Sequence, residues 1–491
     1  MRRINLRLVG VSVLAAILRC LFLHSRGIQY DDAFSIFLSR RSLAEIVSGT
    51  AADTMPPLYY FLLHFWGLVS QELWWLRLLS VLLSLGCVAL LYLLVRRLAS
   101  EGAALVAALL AAISPLQIYH AQDLRMYALT ACAVLGYWYF FTRLWQGWER
   151  QSVADWAGFI LCGAAALYAH NLAGFLLLPP FAFLIWRRAW KQLLRFAVGG
   201  GVILLLFSPW LLLLPGQVEK IQRAFWTPKP GMVEFVQAIL LGAGNLPLPS
   251  GWMGVALVCA LGGLTFVVIG LVRGRKELNE ITFLAWAAGL PPLLLLILSY
   301  LMRPVFVPRG FLAAYLALDG LAAWIIWRAW QPGGGKIIFG LFLLSAVISL
   351  PTQYTFDVFP RSPFKAAMQD LSSQLREGDI ILHDNKLSYF PAEYYVPNLP
   401  QRFLADEPGS ANDTYALGSQ KAMQLIPAAD LPAGTAGASR VFFVFFTQTR
   451  TDYLSAGLVE HPVLAWLDEH GHLDQIQAWN DLNVYIYTME R

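Results

Sequence analysis

The sequence predicts an α-helical membrane protein with many spans and a small α/β domain at its C-terminal end. Of the 491 residues, 58% are hydrophobic and only 14% are Asp, Glu, Lys or Arg, whereas an average soluble domain has about 25% charged residues. The mean hydropathy is +0.56, and apolar runs of about 18 to 22 residues, long enough to cross a bilayer, recur along the chain. These runs are continuous and Leu-rich, which excludes the alternating pattern of an outer-membrane barrel.

About eleven apolar runs are predicted to be membrane spans. They lie near residues 8–25, 74–95, 102–118, 126–145, 155–168, 172–186, 196–214, 251–272, 281–301, 310–327 and 337–352. The run 56–70 is ambiguous, because counting it as a full crossing puts several basic clusters on the outer face, against the positive-inside rule. We therefore predict that it is an outer juxtamembrane segment. The N-terminus is then cytoplasmic, and everything beyond about residue 355 is extracytoplasmic.

Lys and Arg residues support this orientation. The clusters predicted to be cytoplasmic are Arg2/Arg3/Arg7, Arg96/Arg97, Arg143/Arg150, Arg187/Arg188/Lys191/Arg195, Arg273/Arg275/Lys276 and Arg328/Lys336. The pair Arg40-Arg41, in the first outer loop, is the exception. Because topology accounts for the net charge of +5, we assign no nucleic-acid partner. All five cysteines lie in apolar runs, so neither a disulfide framework nor a CxxC metal site is predicted.

Residues 356–491 differ in kind from residues 1–355, which we take as the membrane domain. Helix and strand patterns alternate in this tail, which predicts an α/β domain of roughly 130 residues. The predicted elements are a helix at 364–376, a turn at 377–379, a strand at 380–382, a β-rich run at 441–446, a helix at 463–470 and a strand at 484–487. Segments rich in Pro, Gly, Ala and Ser at 407–418 and 427–439 are predicted loops, and 331–336 a flexible turn.

The predicted outer loops are unusually rich in acids and arginines beside membrane. They contain Asp31, Asp32, Asp53, His120, Asp123, Arg125, His170, Lys220, Arg223, Lys229, Arg303 and Arg309. Ionisable residues beside spans usually line a polar cavity, so they are functional candidates. Structural alternatives exist: Asp32 can cap a helix, His170 can be a structural histidine, and Arg303 and Arg309 can contact lipid headgroups.

Three motifs in these loops carry a family resemblance. They are Tyr30-Asp31-Asp32-Ala33-Phe34-Ser35, Asp53-Thr54-Met55-Pro56-Pro57-Leu58-Tyr59-Tyr60 and Ala121-Gln122-Asp123-Leu124-Arg125-Met126-Tyr127-Ala128-Leu129. Together they resemble the bacterial branch of glycosyltransferase family 39, relatives of the dolichyl-phosphate-mannose protein mannosyltransferases with the GT-C superfold. The segment 303–309 and the tail from Pro363 are similar too, so the resemblance covers nearly the whole chain. Met55 and Asp123 depart from it, because the family often has His and Glu there.

The resemblance implies a cell-envelope glycosyltransferase that takes a hexose, such as mannose, from a polyprenyl-phosphate donor. The sugar would pass with inversion to an extracytoplasmic acceptor, which the sequence leaves open as a protein, a lipid or a glycan. A phosphate leaving group needs no general acid, whereas the acceptor hydroxyl needs a base and the developing phosphate charge needs cations. Asp31, at the family's catalytic position, is then the base, Asp32 orients it, and Asp123 holds the acceptor or a metal.

The remaining site residues are expected to bind substrate. They are Gln122, Arg125, Tyr127, His170, Arg303 and Arg309, and the arginines suit a phosphate because they offer paired donors. Two carboxylates from different loops can also bind Mg²⁺ or Mn²⁺, but no metal or other cofactor is assigned. Membrane lipids are the other expected partners. Two alternatives stay open: an oligosaccharide ligase that uses a lipid diphosphate, and a transporter or flippase, against which the lack of a visible repeat counts.

Overall fold

The structure is a computed structural model, which describes residues 5–223, 225–248, 250–274, 280–331, 333–355, 362–406 and 417–490. The predicted basic residues Arg2, Arg3, Arg275 and Lys276, and positions 407–416 of the first predicted loop, lie outside the described residues. The chain divides into two compact units, Met1–His24 with Thr50–Thr355 and Ser25–Gly49 with Phe356–Arg491. The sequence-based division at residue 355 places residues 25–49 in the first domain, whereas in the structure they pack within the second unit.

Helices account for most of the chain up to residue 355. In chain order they are α1 Leu6–Cys20, α2 Tyr30–Ser39, α3 Leu43–Ala52, α4 Leu58–Gly67, α5 Leu73–Leu98, α6 Glu101–Ile113, α7 Pro115–Ala121, α8 Tyr127–Gln146, α9 Val153–Ala169, α10 Ala173–Leu176, α11 Pro179–Trp186, α12 Trp190–Leu211, α13 Leu214–Arg223, α14 Met232–Leu241, α15 Ser250–Arg273, α16 Thr282–Leu301, α17 Leu312–Arg328 and α18 Gly334–Thr355. Two 3₁₀ turns, Trp148–Arg150 and Pro308–Phe311, accompany them.

All eleven predicted spans are helical, which confirms a polytopic helical membrane protein. By length and hydropathy, six helices of the described residues can cross a membrane. They are Leu73–Leu98, Trp190–Leu211, Gly251–Arg273, Thr282–Leu301, Pro308–Arg328 and Gly334–Thr355. The bent pair α6 and α7 gives a seventh, and the other predicted spans form shorter or less apolar helices. In the ambiguous run 56–70, α4 has only 10 residues, about 15 Å of helix, which is half the thickness of a bilayer core.

A proline explains why the predicted span 102–118 is broken. The axes of α6 and α7 differ by 59°, and Pro115 is the first residue of α7. Because proline has no N–H, the carbonyl of Ala111 cannot receive its usual helical hydrogen bond. The buried guanidinium of Arg19 donates to that carbonyl and to the carbonyl of Ala112, both at 3.0 Å. The first helix is thereby fixed to the break.

The second unit adds a mixed sheet and its covering helices to α2 and most of α3. Its strands are β1 Asp379–His383, β2 Gln401–Phe403, β3 Arg440–Phe446, β4 Gly471–Trp479 and β5 Leu482–Met489, and its further helices are α19 Phe364–Gln374, α20 Lys386–Tyr395, α21 Leu417–Met423, α22 Leu431–Thr435, α23 Thr447–Ser455 and α24 Pro462–His470. The strand order is β2-β1-β3-β5-β4. Strand β1 pairs parallel with β2 and β3, while β5 pairs antiparallel with β3 and β4.

The sheet is buried on both faces at β3. Phe442 and Val444 pack with residues of α19 on one face, and Phe443 and Phe445 pack with residues of α24 on the other. A strand covered on both sides is expected to be apolar throughout, which accounts for the continuous run in the sequence.

The predicted elements of the tail are all present, and the small C-terminal α/β domain is confirmed. The predicted turn at 377–379 holds Gly378 at φ +88°, a left-handed conformation that favours glycine. The prediction of a loop at 427–439 is wrong in part, because this segment contains the short helix α22, which has a proline in its first turn and is capped by Asp430. Strands β2 and β4 and helices α20, α21 and α23 were not predicted, since their sequences lack a strong apolar period.

Candidate functional site

Polar side chains are buried where α7 ends and α8 begins, in the first unit. His120 lies in the last turn of α7, and its Nδ1 is 2.7 Å from Oδ2 of Asp123. Tyr127 is the first residue of α8, and its ring centroid lies 5.0 Å from that of His120. All three residues are buried. The turn between the helices therefore holds the predicted carboxylate of Asp123 against an imidazole.

A second buried carboxylate, Asp53, lies between α3 and α4. The adjoining backbone is held by amide side chains from distant parts of the chain: Asn171 Nδ2 donates to the carbonyl of Thr54 at 2.8 Å and to Oε1 of Gln217 at 3.0 Å. Gln217 Nε2 in turn donates to the carbonyl of Thr50 at 3.1 Å. The loops around residues 53 and 171 and helix α13, which carries Gln217, thus form one hydrogen-bonded group, although they are far apart in the sequence.

The charges of two arginines affect the imidazole of His170, the residue that follows α9. Burial, and then the positive charges of Arg125 and Arg309, lower the pKa of His170 to about 3. The imidazole is therefore neutral at physiological pH. Its Nδ1 accepts a hydrogen bond from the backbone N–H of Leu172 at 3.1 Å, so the proton of the neutral ring is on Nε2. Arg125, Arg309 and His170 together offer a ligand two guanidinium charges and one imidazole N–H.

Aromatic rings hold these arginines in place. The guanidinium carbon of Arg309 lies 5.6 Å from the ring centroid of Tyr127 and 5.1 Å from that of Trp226, within the range of cation–π attraction. Arg125 Nη1 donates to the hydroxyl of Tyr60 at 3.3 Å. We call Arg125, Tyr127, His170 and Arg309 the cationic cluster. The structure thus brings together four of the predicted substrate-binding residues.

An apolar cavity of about 410 Å³ extends from the turn that carries Arg309. Phe306 and Phe311, on either side of Arg309 in the sequence, both line it, and Tyr315 stacks on Phe311 with ring centroids 5.5 Å apart. The rest of the lining comes mainly from α14 to α18 and is almost entirely apolar. This cavity was not visible in the sequence, because its wall is built from α14 and from four helices whose sequences are each typical of an ordinary span.

Two other predicted substrate-binding residues make different contacts. Gln122 is buried, and its amide nitrogen donates to the carbonyls of Arg19 and Leu21 at the end of α1. Arg303 donates to the carbonyls of Arg223 and Phe225, at 3.5 and 3.0 Å. The amide of Gln122 thus stabilises a helix end, and Arg303 lines a separate polar cavity.

Asp31 and Asp32 belong to the second unit, in the first turn of α2. Asp31 is partly exposed, whereas Asp32 is buried. Oδ2 of Asp32 lies 3.5 Å from the backbone N–H of Gln29, the residue before the helix. This is the geometry of a capping residue at the third helical position. The structure therefore separates the pair: Asp31 has the accessible carboxylate and Asp32 supports the helix start.

Helix α20 holds α2 in place. The Tyr30 ring stacks on Phe390 with centroids 5.3 Å apart, and Phe37 meets the same ring edge-on at 5.9 Å. The backbone N–H of Ile28 donates to the hydroxyl of Tyr395 at 2.9 Å. At the other end of the segment, the hydroxyl of Ser419 donates to the carbonyl of Gly49 at 3.0 Å. The C-terminal residues thus anchor both ends of the segment that carries Asp31.

The aromatic partners of the arginines were not predicted from the sequence, which left a divalent metal at the carboxylates open. Tyr60 lies in a motif that carries the resemblance, which was the available signal, whereas nothing near Trp226 marked it. Among the residues that the structure describes, no group of three or more His, Cys, Asp or Glu side chains is arranged to hold a metal ion.

Comparisons with known proteins agree with this architecture. Residues 54–213 match the model of a family described as dolichyl-phosphate-mannose-protein mannosyltransferase, whereas no curated protein matches the sequence. The structure is similar to that of ArnT from Cupriavidus metallidurans bound to undecaprenyl phosphate, with a TM-score of 0.63, 14% sequence identity, and coverage of 98% of this chain and 97% of that chain. The oligosaccharyltransferase of Archaeoglobus fulgidus, tethered with an acceptor peptide, gives a TM-score of 0.51 at 13% identity and covers 99% of this chain and 74% of that chain.

These findings confirm the predicted resemblance and fold. The family match lies within the membrane unit and includes the third of the three motifs and all of the second except Asp53. The structural similarity spans nearly the whole chain. The protein therefore has the fold of the GT-C membrane glycosyltransferases.

Proposed function

We propose that this GT-C protein transfers a hexose, such as mannose, from a polyprenyl-phosphate donor to an acceptor on the extracytoplasmic side of the cell membrane, with inversion. The observation that carries the proposal is the cationic cluster beside an apolar cavity. A polyprenyl-phosphate sugar has a negatively charged phosphodiester next to a long hydrocarbon chain, and the two regions of the site match it in chemistry and order. The match to the mannosyltransferase family supports the choice of mannose only by its name.

The cationic cluster would bind the phosphate of the donor. Arginines form charge-assisted hydrogen bonds to phosphate oxygens, which are about twice as strong as neutral ones. Because Arg125 and Arg309 are held by Tyr60, Tyr127 and Trp226, little side-chain entropy remains to be lost on binding. The Nε2–H of His170 would add a neutral donor.

The apolar cavity would hold the first isoprene units of the carrier. Its volume of about 410 Å³ lies within the usual range of ligand pockets, about 300 to 1,000 Å³. Phe306 and Phe311 connect the cavity to the turn carrying Arg309. The structure of ArnT was determined with undecaprenyl phosphate bound, which supports a lipid of this class for a chain with the same fold.

The reaction would be a single displacement at the anomeric carbon. Asp31 accepts the proton of the acceptor hydroxyl while its oxygen attacks C1 of the sugar. The bond between C1 and the phosphate oxygen breaks, and its electron pair leaves with the phosphate, whose growing charge Arg125 and Arg309 stabilise. One displacement inverts the configuration at C1. Asp123, fixed by His120, would hold an acceptor or sugar hydroxyl.

A second candidate is an oligosaccharide ligase that uses a lipid diphosphate. The similarity to the oligosaccharyltransferase of Archaeoglobus fulgidus supports it. The two candidates differ in the donor alone, because a diphosphate carries further negative charge and suits a larger cationic site.

Incubation of the purified protein with polyprenyl monophosphate and diphosphate sugars, followed by mass analysis of the acceptor fraction, tests the proposal. Transfer from the monophosphate sugar, and a loss of donor affinity of about tenfold or more in Arg309→Gln, are expected. Arg187→Gln is a matched control, since Arg187 lies at the end of α11 near Trp186. Transfer from the diphosphate sugar alone would contradict the proposal and support the function of an oligosaccharide ligase. Equal donor affinity in the two variants would contradict the phosphate site.

A further inference from the structure

A second cavity, which is polar and also measures about 410 Å³, lies at the end of α16 in the first unit. Its polar lining consists of Gln222, Thr227, Lys229, Ser299, Tyr300 and Arg303. One short segment contacts both this cavity and the cationic cluster. Trp226 packs against the guanidinium of Arg309, and the next residue, Thr227, lines the polar cavity. The two cavities therefore lie beside one short stretch of chain.

Two positive charges face this cavity. Arg303 is fixed by its bonds to the carbonyls of Arg223 and Phe225, and the ammonium of Lys229 lies 5.3 Å from the ring centroid of Tyr300. Among the residues that the structure describes, no carboxylate lines the cavity. None of the acidic side chains within the described ranges forms an ion pair with either cation. Two like charges beside one cavity repel each other, and a bound anion would remove that repulsion.

The hydrogen-bonding groups of the cavity are mostly donors. Thr227 is 7% exposed, and its hydroxyl has no hydrogen-bond partner in the described part of the chain. The carbonyl oxygen of the Gln222 side chain accepts the backbone N–H of Arg303 at 3.2 Å, which leaves its amide N–H groups for a ligand. The hydroxyl of Ser299 accepts the backbone N–H of Val305 at 3.0 Å and so has a proton to donate. A site that offers donors and two cations is chemically complementary to an oxyanion with several acceptor oxygens.

We propose that this cavity binds a phosphate group other than that of the sugar donor, either as the head group of a membrane lipid or as free phosphate. The cavity lies at the end of a membrane-spanning helix whose last residues, Tyr300 and Leu301, are exposed, where a lipid phosphate is found. Its volume exceeds that of a bare phosphate, so a substituted phosphate also fits. A lipid that binds here through its phosphate would be an anionic acceptor of the sugar. This last step rests on the proposed transferase function.

Binding to the full-length protein in detergent, measured by native mass spectrometry, tests the site without relying on activity. The ligands are short-chain phosphatidic acid, its uncharged diacylglycerol and inorganic phosphate. We expect phosphatidic acid to bind and Lys229→Gln and Arg303→Gln each to weaken it about tenfold or more, and Thr227→Val by about two- to tenfold. Arg223→Gln, which removes a neighbouring exposed charge paired with Glu219, should leave affinity unchanged.

The arms of the experiment separate the two sources of phosphate and the two sites. Binding of inorganic phosphate with the same variant pattern supports free phosphate, and binding of phosphatidic acid alone supports a lipid head group. A short polyprenyl phosphate should lose affinity in Arg309→Gln and keep it in Lys229→Gln, whether or not the protein proves to be a transferase. Equal affinity for phosphatidic acid and diacylglycerol, or an equal loss in Arg223→Gln and Lys229→Gln, would overturn the proposal.

Discussion

Replacement of Asp31 by Asn separates catalysis from folding. The change keeps the size and polarity of the side chain but removes the carboxylate that would accept the proton of the acceptor. General-base catalysis typically contributes about a hundredfold to ten-thousandfold in rate. A hundredfold loss corresponds to about 2.7 kcal/mol in the activation free energy. We expect the turnover of Asp31→Asn to fall by that factor or more.

The structure predicts a much smaller effect on stability. Asp31 is partly exposed in the first turn of α2, where a negative charge stabilises the helix by about 0.3 to 1 kcal/mol. Asp32→Asn is the matched control, because an amide oxygen can still accept the N–H of Gln29. We expect this variant to lose less than tenfold in turnover and up to about 1 kcal/mol in stability.

Single-turnover transfer at saturating donor and acceptor measures the chemical step, and thermal melting checks folding. Donor affinity should be unchanged in both variants, since a phosphate is held by cations and not by these acids. Near-normal turnover of a folded Asp31→Asn protein would refute the base assignment. An equal loss in Asp32→Asn would refute the distinction between the two carboxylates.

A buried histidine, the support of α2 and the membrane topology can each be tested. Because the pKa of His170 is about 3 in the folded protein and about 6.5 when unfolded, stability should be highest above about pH 6.5 and fall as the pH decreases toward 3. Thermal melting of His170→Asn should show a weaker decrease, and an unchanged pH dependence would contradict the assigned burial. Tyr395→Phe leaves the buried N–H of Ile28 without its acceptor, which should lower the free energy of unfolding by about 1 to 3 kcal/mol. Turnover should fall several-fold with unchanged donor affinity. A change in donor affinity alone would contradict a role of Tyr395 in positioning α2. An impermeant thiol reagent should label Gly418→Cys but not Gly334→Cys from outside intact cells, and labelling of both would refute the predicted topology.

The amino-acid sequence was sufficient to predict the class of fold. The lengths of the apolar runs place helices correctly, because each run must satisfy its own backbone hydrogen bonds in a membrane. The continuous run Val441 to Phe446 predicts a strand for a similarly local reason, since its neighbours cover both faces. By contrast, β4 alternates weakly and pairs on one side only, so its sequence gave little indication of a strand.

The candidate residues were also visible in the sequence, but their partners were not. Spacing within one loop placed Asp123 three residues after His120, and their contact in the structure is local. Arg125, His170 and Arg309 come from three loops, and only the packing of the helices between them brings their charges together. The same applies to Arg303, whose neighbours in space come from the segment 222–229.

The sequence by itself determined most of the membrane helices, the strands β1, β3 and β5, and which ionisable residues are costly enough to need a polar environment. The tertiary structure alone decided that residues 25–49 pack with the C-terminal unit, that Asp31 is accessible while Asp32 is buried, and that an apolar cavity adjoins Arg309. The physical reason is the range of the interactions: hydrogen bonding and hydrophobic periodicity act between near neighbours in the chain. The accessibility of a carboxylate and the distance between charges depend instead on residues hundreds of positions away, as between Tyr30 and Phe390.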